Sequence, residues 1–189
     1  MTSNVKNLVD DMNASTYEAE QLRLSVIRKL KIIDSPFETV FDSIAKLAGE
    51  ICNMPISLIT IIDENKLWFK ANVGLPGFKE TDRTNSFCNV TILSDEIFEV
   101  QDATKDKRFV NNILVSNGPK IRFYAGVPIS LPLGEKIGAL CVIDVKPNSL
   151  NEHQRNVLNG LAKIVSTILV ARSVSLKVTE NVTTKTLDF

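Results

Sequence analysis

The sequence predicts an α+β domain, in which terminal helices cover one face of an antiparallel sheet and short helices and loops cover the other. Three observations lead to this fold class. Apolar residues repeat with a helical period near both ends of the chain, and β-branched runs in the middle form two hairpins. Between the hairpins, residues 74–117 are irregular and longer than a simple connection needs. Helices that flank such a sheet have to cover one of its faces.

The composition excludes several classes of function. The 22 Lys and Arg balance the 22 Asp and Glu, so net charge gives no reason to expect nucleic acid or an anionic membrane as a partner. The single histidine excludes a metal site that needs two imidazoles. Three cysteines are not the even-numbered framework of a secreted protein, and we find no signal peptide and no apolar run of about 18 residues. We therefore expect a cytoplasmic protein.

Three Ser-x-x-Glu motifs predict where helices begin, because the hydroxyl and the carboxylate can each satisfy a free backbone amide. These motifs are Ser15 with Glu18, Ser35 with Glu38, and Ser149 with Glu152. They predict an N-terminal helix over 16–33 and two sheet-packing helices over 35–53 and 149–172. We expect residues 1–15 to be flexible and residues 173–189 to be a polar tail, either a fraying helix end or disordered. The folded part is then a single domain.

The last predicted helix has a wide apolar face. Leu161, Ile164 and Ile168 follow the three- and four-residue spacing that a coiled-coil seam also uses. Two interpretations remain open. The helix packs only on the sheet, or it packs on the sheet and also pairs with its copy in a homodimer.

Strands follow from short β-branched runs that are bounded by turn residues. We predict them over 56–62, 67–73, 97–101, 122–133 and 136–144. The first two form a hairpin around residues 63–66, and the last two form a hairpin around Gly134. Pro128 and Pro132 place part of the fourth strand at an edge or a bulge, because proline cannot donate to a ladder.

The irregular segment 74–117 is the predicted ligand side of the domain. A compact domain rarely holds so much irregular chain unless it roofs a cavity or presents a binding surface. Trp68, on a neighbouring strand, either lines such a pocket or covers the sheet edge. We find no glycine-rich phosphate loop, no serine elbow and no CxxC motif in the sequence.

The best polar candidates lie in or next to this segment. Arg122 and Tyr124 share one strand face by the two-residue period, so a guanidinium and a phenol could point at the same ligand. Arginine offers a planar fork that suits carboxylate or phosphate. The alternative is an internal salt bridge that holds the loop, between Arg122 or Arg108 and Asp102 or Asp106.

Cys88 is the thiol that we expect at the cavity. It is either a redox sensor, an attachment point or a nucleophile, or else a small buried side chain. A reactive thiol needs a cationic neighbour that lowers its pKa, and Arg83 and Arg122 are the candidates. Cys141 alternates with core residues of its strand, and Cys52 ends a helix, so we expect both to be structural.

Several segments resemble one family when they are taken in order. They include FDSIAKLA at 41–48, ISLITIID at 56–63, SFC at 86–88, QDATKDKRF at 101–109, IRFYAGVPI at 121–129 and GALCVIDVKP at 138–147. The chain resembles the GAF domains that bacteria place in front of sensor kinases and diguanylate cyclases. The resemblance spans residues 17–171 and implies an antiparallel sheet of five or six strands with a ligand-side cap. Bilin-binding members place His after the attachment Cys, whereas Asn89 follows here, which argues against a bilin.

The resemblance implies a class of function but no particular ligand or cofactor. Met1 and the missing output domain lead us to expect a stand-alone, non-catalytic sensory domain. It would bind a small molecule and act as a homodimer on a partner in trans, such as a sensor kinase or a cyclic-dinucleotide enzyme. The alternatives are a pure dimerisation scaffold and a thiol enzyme, such as a free methionine sulfoxide reductase that uses Cys88. The residues expected at the ligand are Cys88, Arg122, Tyr124, Asp102, Arg83 and Trp68.

Overall fold

The computed structural model describes the backbone of residues 3–186 and the side chains of residues 16–179. Within these residues, five helices and six strands follow one another along the chain. They are α1 (Ser3–Leu30), α2 (Thr39–Cys52), β1 (Ile56–Ile62), β2 (Lys66–Val73), β3 (Glu80–Asp82), α3 (Phe87–Thr91), β4 (Phe98–Val100), α4 (Ile113–Ser116), β5 (Phe123–Ser130), β6 (Lys136–Asp144) and α5 (Glu152–Thr186).

The strands form one six-stranded sheet in the order β3-β2-β1-β6-β5-β4, and every neighbouring pair is antiparallel. The predicted α+β class and both predicted hairpins, β1 with β2 and β5 with β6, are confirmed. The three-residue strand β3 was not predicted, because Glu80–Asp82 has no apolar alternation that would indicate a strand. Pro128 pairs with β6 just beyond the end of β4, where its missing N–H costs no bond.

The terminal helices pack on one face of the sheet. Strand β5 turns Phe123, Ala125 and Val127 towards the helices, and these residues share a core with Phe41 of α2 and Leu158 of α5. Residues of α1, α2 and α5 all contribute to this core. Alternation along a strand places the intervening side chains on the opposite face.

The short elements α3, β4 and α4 and their loops cover the other face. The Phe87 ring of α3 stacks on Phe109 with centroids 3.9 Å apart, and on Tyr124 of the sheet at 5.1 Å. Together with Leu58 and Ile143 these rings belong to a second buried cluster. We call residues 74–117 the cap. The sheet is thus covered on both faces, as predicted.

Helix α2 begins four residues after the predicted Ser35 cap. The Ser35 hydroxyl does not bind a helix amide, because it donates to the Ile32 carbonyl and accepts a bond of 2.8 Å from the Lys70 ammonium. Glu38 precedes Thr39 but makes no side-chain cap bond, and its carboxylate lies 2.6 Å from Lys70 instead. The predicted capping box is therefore wrong, because the buried Lys70 ammonium binds both Ser35 and Glu38.

Helix α5 is capped two residues later than predicted. The Asn151 side chain accepts from the Gln154 amide at 2.9 Å, and the Gln154 side chain accepts from the Asn151 amide at 3.0 Å. This reciprocal pair caps the N-terminus of α5, the role that we predicted for Ser149 and Glu152. The predicted geometry of the cap occurs, but on residues with amide side chains.

Both terminal helices are longer than the sequence predicted. Helix α1 begins at Ser3, so the predicted cap at Ser15 and Glu18 falls inside a continuous helix. Helix α5 continues to Thr186, through most of the predicted polar tail. The flexibility expected for residues 1–15 stays a prediction, since their side chains lie outside the described residues.

Residues Glu152–Thr179 of α5 form the one helix in the described chain that is long and apolar enough to cross a membrane, with a hydropathy of 1.5. This is weak evidence for a membrane span, because a core helix has the same properties. Leu158, Val165 and Leu169 of this helix are fully buried against the sheet. The apolar character of α5 is accounted for in part by this packing.

Candidate functional site: a small cavity beside a thiol pair

A cavity of about 60 Å³ lies between the sheet and the cap. Its sheet side consists of Leu58, Leu67, Phe69, Tyr124 and Ile143, and its cap side includes Leu75, Phe78, Phe87, Cys88 and Leu114. Nearly all of these side chains are apolar. The alternation of β2 and β5 places the sheet-side residues here, because their neighbours in sequence point towards the helices.

The cavity is small for a ligand site. Cavities that hold drug-sized ligands measure about 300–1,000 Å³, whereas this one has room for a few water-sized groups. A nucleotide or a tetrapyrrole would enter only if the cap moved. Among the side chains of residues 16–179, no three carboxylate, imidazole or thiol groups come close enough to hold a metal ion. The polar groups at the cavity are hydroxyls and a thiol.

Two buried thiols meet at the inner end of the cavity. Cys88 Sγ lies 3.9 Å from Cys141 Sγ, and the Tyr124 hydroxyl lies 3.3 Å from Cys88 Sγ. The Thr91 hydroxyl is 2.7 Å from that of Tyr124 and holds it in place. Ser86 caps α3 by accepting from the Cys88 amide at 3.0 Å, which fixes the position of the thiol.

The contact between the two thiols shifts their pKa values in opposite directions. The hydrogen bond from the Cys141 thiol lowers the pKa of Cys88 to about 7, in spite of burial, and the Tyr124 hydroxyl acts in the same direction. The same bond to Cys88, together with burial, raises the pKa of Cys141 well above its usual value. By contrast, burial alone raises the pKa of Cys52 to about 11. The hydrogen bonds that reach Cys88, including that from the Tyr124 hydroxyl, therefore favour its thiolate form.

The two arginines expected beside Cys88 are engaged elsewhere. Arg83 donates to Asn89 at 2.9 Å and to Glu20 of α1 at 2.5 Å, so it connects the cap to a terminal helix. Arg122 donates to the backbone carbonyls of Val115 and Ile121 and does not line the cavity. A neighbouring thiol and a phenol lower the pKa of Cys88 in place of the predicted cations.

One of the predicted loop salt bridges forms. Arg108 donates to both carboxylate oxygens of Asp106, with Nε at 2.9 Å and Nη2 at 2.5 Å. The Arg108 hydrogen bond lowers the pKa of Asp106. The guanidinium also lies over the Phe98 and Phe109 rings, 4.7 and 5.6 Å from their centroids. This pair holds the cap together and does not reach the cavity.

Two further predicted ligand residues lie away from the cavity. Asp102 accepts from the Thr104 amide and hydroxyl and pairs with Lys105 at 3.0 Å, so it closes a turn of the cap. The prediction that Trp68 lines the pocket is wrong. Trp68 belongs to the core beneath the helices, and its ring lies 5.5 Å from the ammonium of Lys70.

The sequence did not predict Cys141 as a site residue. We expected it to share a core face with Ile137, Ala139 and Ile143. Ala139 and Ile143 do lie with it in the buried cluster under the cap, whereas Ile137 packs under the helices because the register of β5 and β6 shifts next to Ser130. Cys141 instead pairs with Gly126 and faces the cap. Its distance from Cys88 depends on where α3 lies over the sheet, which no local sequence pattern encodes.

Comparison with known proteins now decides the family. The model of the GAF domain family matches residues 36–169, most of the chain. The chain belongs to the GAF family. The fold described above has the family's six-stranded antiparallel sheet, and the resemblance noted in the sequence is confirmed.

A bacterial relative of this GAF chain is a cyclic di-GMP phosphodiesterase of Pseudomonas aeruginosa. The two are 39% identical over 149 residues, which is 78% of this chain and 25% of the relative. The chain thus spans about a quarter of the length of the curated relative it matches.

Solved structures with the same fold are more distant in sequence. The GAF domain of a phosphoenolpyruvate-protein phosphotransferase from Coxiella burnetii has a TM-score of 0.61 and 16% identity, and the match covers 82% of this chain and 98% of that one. A type II free methionine-R-sulfoxide reductase from Thermoplasma acidophilum has a TM-score of 0.57 and 14% identity, with coverages of 80% and 94%. At these identities the likeness concerns the fold alone.

Proposed function

We propose that this GAF domain is a non-catalytic, cytoplasmic sensor that binds a small molecule under its cap and signals through its terminal helices. One observation carries the proposal. The cavity lies beneath the cap, and Arg83 of the cap is ion-paired with Glu20 of α1. A ligand that shifts the cap therefore acts directly on a terminal helix.

The cavity supports a small and weakly polar ligand. Its lining is apolar except for a thiol and hydroxyls, so a charged ligand would find no fixed counter-charge there. Arg122 and Asp102, the predicted partners of an anionic or cationic ligand, make their hydrogen bonds within the protein. A larger ligand would bind only with displacement of the cap.

The route from cap to helix is short. Glu20 also accepts two hydrogen bonds from Arg23, whose guanidinium donates to the Ile62 carbonyl at the end of β1. The hydrogen bond from Arg23 is the main cause that lowers the pKa of Glu20 to about 2, and Arg83 adds to it. Cap, sheet and α1 therefore share one ionised carboxylate. Coupling of only about 1–3 kcal/mol would give regulation of about 5–150-fold.

The ligand proposal is tested by native mass spectrometry and thermal shift, with small, weakly polar molecules as the main probes, and with cyclic dinucleotides and tetrapyrroles as probes that would bind only if the cap moved. We expect a bound small molecule, or a probe, to raise the melting temperature by mass action. Leu114→Phe, which fills the cavity, should abolish that rise. Leu133→Phe, at a turn residue that is 90% exposed, should not. If no probe shifts either variant or the wild type, the domain is a scaffold and the sensor proposal fails.

We further propose that the domain acts as a homodimer through α5. Leu161 of the predicted seam is buried in the core at 7% exposure, so that assignment is wrong, and Ile168 is only partly exposed. Ile164, Ala171, Val174 and Val178 lie on one exposed stripe with the spacing of a coiled-coil seam.

Val174→Asp should convert the dimer into a monomer in light-scattering measurements, because it places a charge in the proposed seam. Leu93→Asp, at a residue of the cap that is 78% exposed and lies on the opposite face of the sheet from α5, is the matched control and should leave the dimer intact. A wild-type protein that is monomeric at high concentration would contradict the dimer.

The relative supports a proposal for the output partner. The Pseudomonas protein is named a cyclic di-GMP phosphodiesterase and is about four times as long as the matched part. We propose that this domain regulates a cyclic-dinucleotide enzyme.

A further inference from the structure

The thiol pair has a geometry that suits reversible oxidation. Cys88 Sγ and Cys141 Sγ are 3.9 Å apart, and both cysteines are free thiols. A disulfide requires sulfurs about 2.0 Å apart, so closing the bond needs a shift of only about 2 Å. The two residues lie on different elements, the five-residue helix α3 and the strand β6, so closing the bond displaces α3 against the sheet and changes no strand pairing. No large rearrangement of the sheet is needed.

Access to the pair is limited to small molecules. Cys88 lines the cavity, whereas Cys141 is fully buried behind it and does not. A cavity of about 60 Å³ admits an oxidant of a few atoms and excludes glutathione disulfide. An oxidant that enters the cavity therefore meets Cys88 first.

The surroundings of Cys88 favour its thiolate. The thiolate is the form that attacks an oxidant, and the hydrogen bonds from Cys141 and Tyr124 stabilise it. The Tyr124 hydroxyl lies 3.3 Å from Cys88 Sγ and can also donate a proton to a group that leaves beside the sulfur. Cys141 does not line the cavity and is reached only through Cys88, which makes it the second thiol to react.

We propose that Cys88 and Cys141 form a redox-active pair that a small hydroperoxide such as hydrogen peroxide oxidises to a disulfide. The Cys88 thiolate attacks one peroxide oxygen, the O–O bond breaks, and the departing hydroxide takes up a proton to leave as water. Cys88 then carries a sulfenic acid. The Cys141 thiol attacks that sulfur and loses its proton, the S–O bond breaks, and a second water leaves. Two thiols and one peroxide thus give one disulfide and two waters.

Oxidation would change the cavity itself. Forming the disulfide draws α3 towards β6 and removes the hydrogen bond between Cys88 and Tyr124. Helix α3 also carries Phe87, which lines the cavity and stacks on Tyr124. The redox state of the pair would therefore set the size of the cavity. This inference goes beyond the proposed sensor function and does not depend on any ligand.

The test treats the reduced protein with hydrogen peroxide at pH 7 and then measures intact mass and peptide linkages. We expect the loss of two hydrogen atoms, and a peptide in which Cys88 is joined to Cys141. Dithiothreitol should reverse both changes. Before disulfide formation is complete, Cys88 should be lost to oxidation at least about 10-fold faster than Cys52, whose thiol stays protonated.

Single variants separate this chemistry from general oxidation. Cys141→Ser should leave an oxidised Cys88 without a disulfide, seen as an intact-mass gain of one oxygen atom, Cys88→Ser should abolish the reaction, and Cys52→Ser should change nothing. Near-UV circular dichroism checks each fold, and alanine replaces serine where a variant fails to fold. Equal oxidation of Cys52 and Cys88 would overturn the proposal. So would a disulfide that forms with free methionine sulfoxide but not with peroxide, because the pair would then belong to a reductase.

Discussion

Glu38→Ala is expected to lower the free energy of unfolding by about 3–5 kcal/mol, because it leaves a buried ammonium without its counter-charge. Lys70 is 0% exposed, and its Nζ lies 2.6 Å from a Glu38 carboxylate oxygen. Its other partners, the Ser35 hydroxyl and the Pro36 carbonyl, are neutral. Urea unfolding of the wild type and the variant at pH 7 measures the loss.

A double-mutant cycle shows whether the buried charge is the cause. Lys70→Met keeps the length of the side chain and removes the charge, so Glu38→Ala in that background should cost at least about 2 kcal/mol less. The matched control is Glu50→Ala, which breaks an exposed ion pair with Lys46 and should cost less than about 1 kcal/mol. An equal cost of Glu38→Ala in both backgrounds would contradict the argument.

Arg172, a partner of the same carboxylate, ties the terminal helices to each other. Glu38 accepts a bond of 2.9 Å from Arg172 of α5, and that guanidinium also donates to the carbonyls of Leu30 and Lys31 at the end of α1. A movement of α1 relative to α5 has to strain this network. The cap itself is joined to the terminal helices through other ion pairs, which include Arg83 with Glu20 of α1 and Glu99 with Arg155 of α5.

Local patterns predicted the elements well but not their ends. The β-branched runs predicted both hairpins correctly. They could do so because the two-residue alternation of a strand and the composition of a turn depend only on neighbouring residues. Whether a polar side chain caps a helix depends on which other groups lie within hydrogen-bonding distance of it in the folded protein. Ser35 and Glu38 have the residue types of a capping box, yet a lysine more than thirty residues further along the chain binds both of them. Tertiary contacts of this kind leave no local signal.

For the candidate site, too, the sequence predicted some residues correctly and misplaced or missed others. Cys88 and Tyr124 line the cavity. The irregular cap had indicated Cys88, and the alternation of β5 had indicated Tyr124. Trp68 was misplaced, since a strand face that also carries Lys70 did not look like a core face. Cys141 was missed because an apolar strand with one thiol has the pattern of an ordinary core strand. Its contact with Cys88 follows from the position of α3 over the sheet, which only the three-dimensional structure shows.

Gly138→Ala is expected to lower the free energy of unfolding by about 3 kcal/mol, the upper end of the usual range for an overpacked core. A Cβ atom at Gly138 would lie 1.8 Å from the Thr60 carbonyl oxygen and 3.1 Å from the Ile61 Cα. Both neighbours are backbone of β1, which is hydrogen-bonded to β2 and β6 in the middle of the sheet. Neither can move without breaking ladder bonds, so the clash cannot be relieved by a change of side-chain rotamer.

Gly160→Ala is the matched control, because the same methyl group at that residue of α5 would meet nothing within 4 Å. It should raise the free energy of unfolding by about 0.5–1 kcal/mol, since glycine is unfavourable inside a helix. Urea unfolding at one temperature compares both variants with the wild type, and unchanged slopes would confirm that only stability differs. A loss of less than about 1 kcal/mol in Gly138→Ala would mean that β1 and β6 can separate at this point. The register that brings Cys141 to the cap would then be less firmly fixed than the ladder indicates.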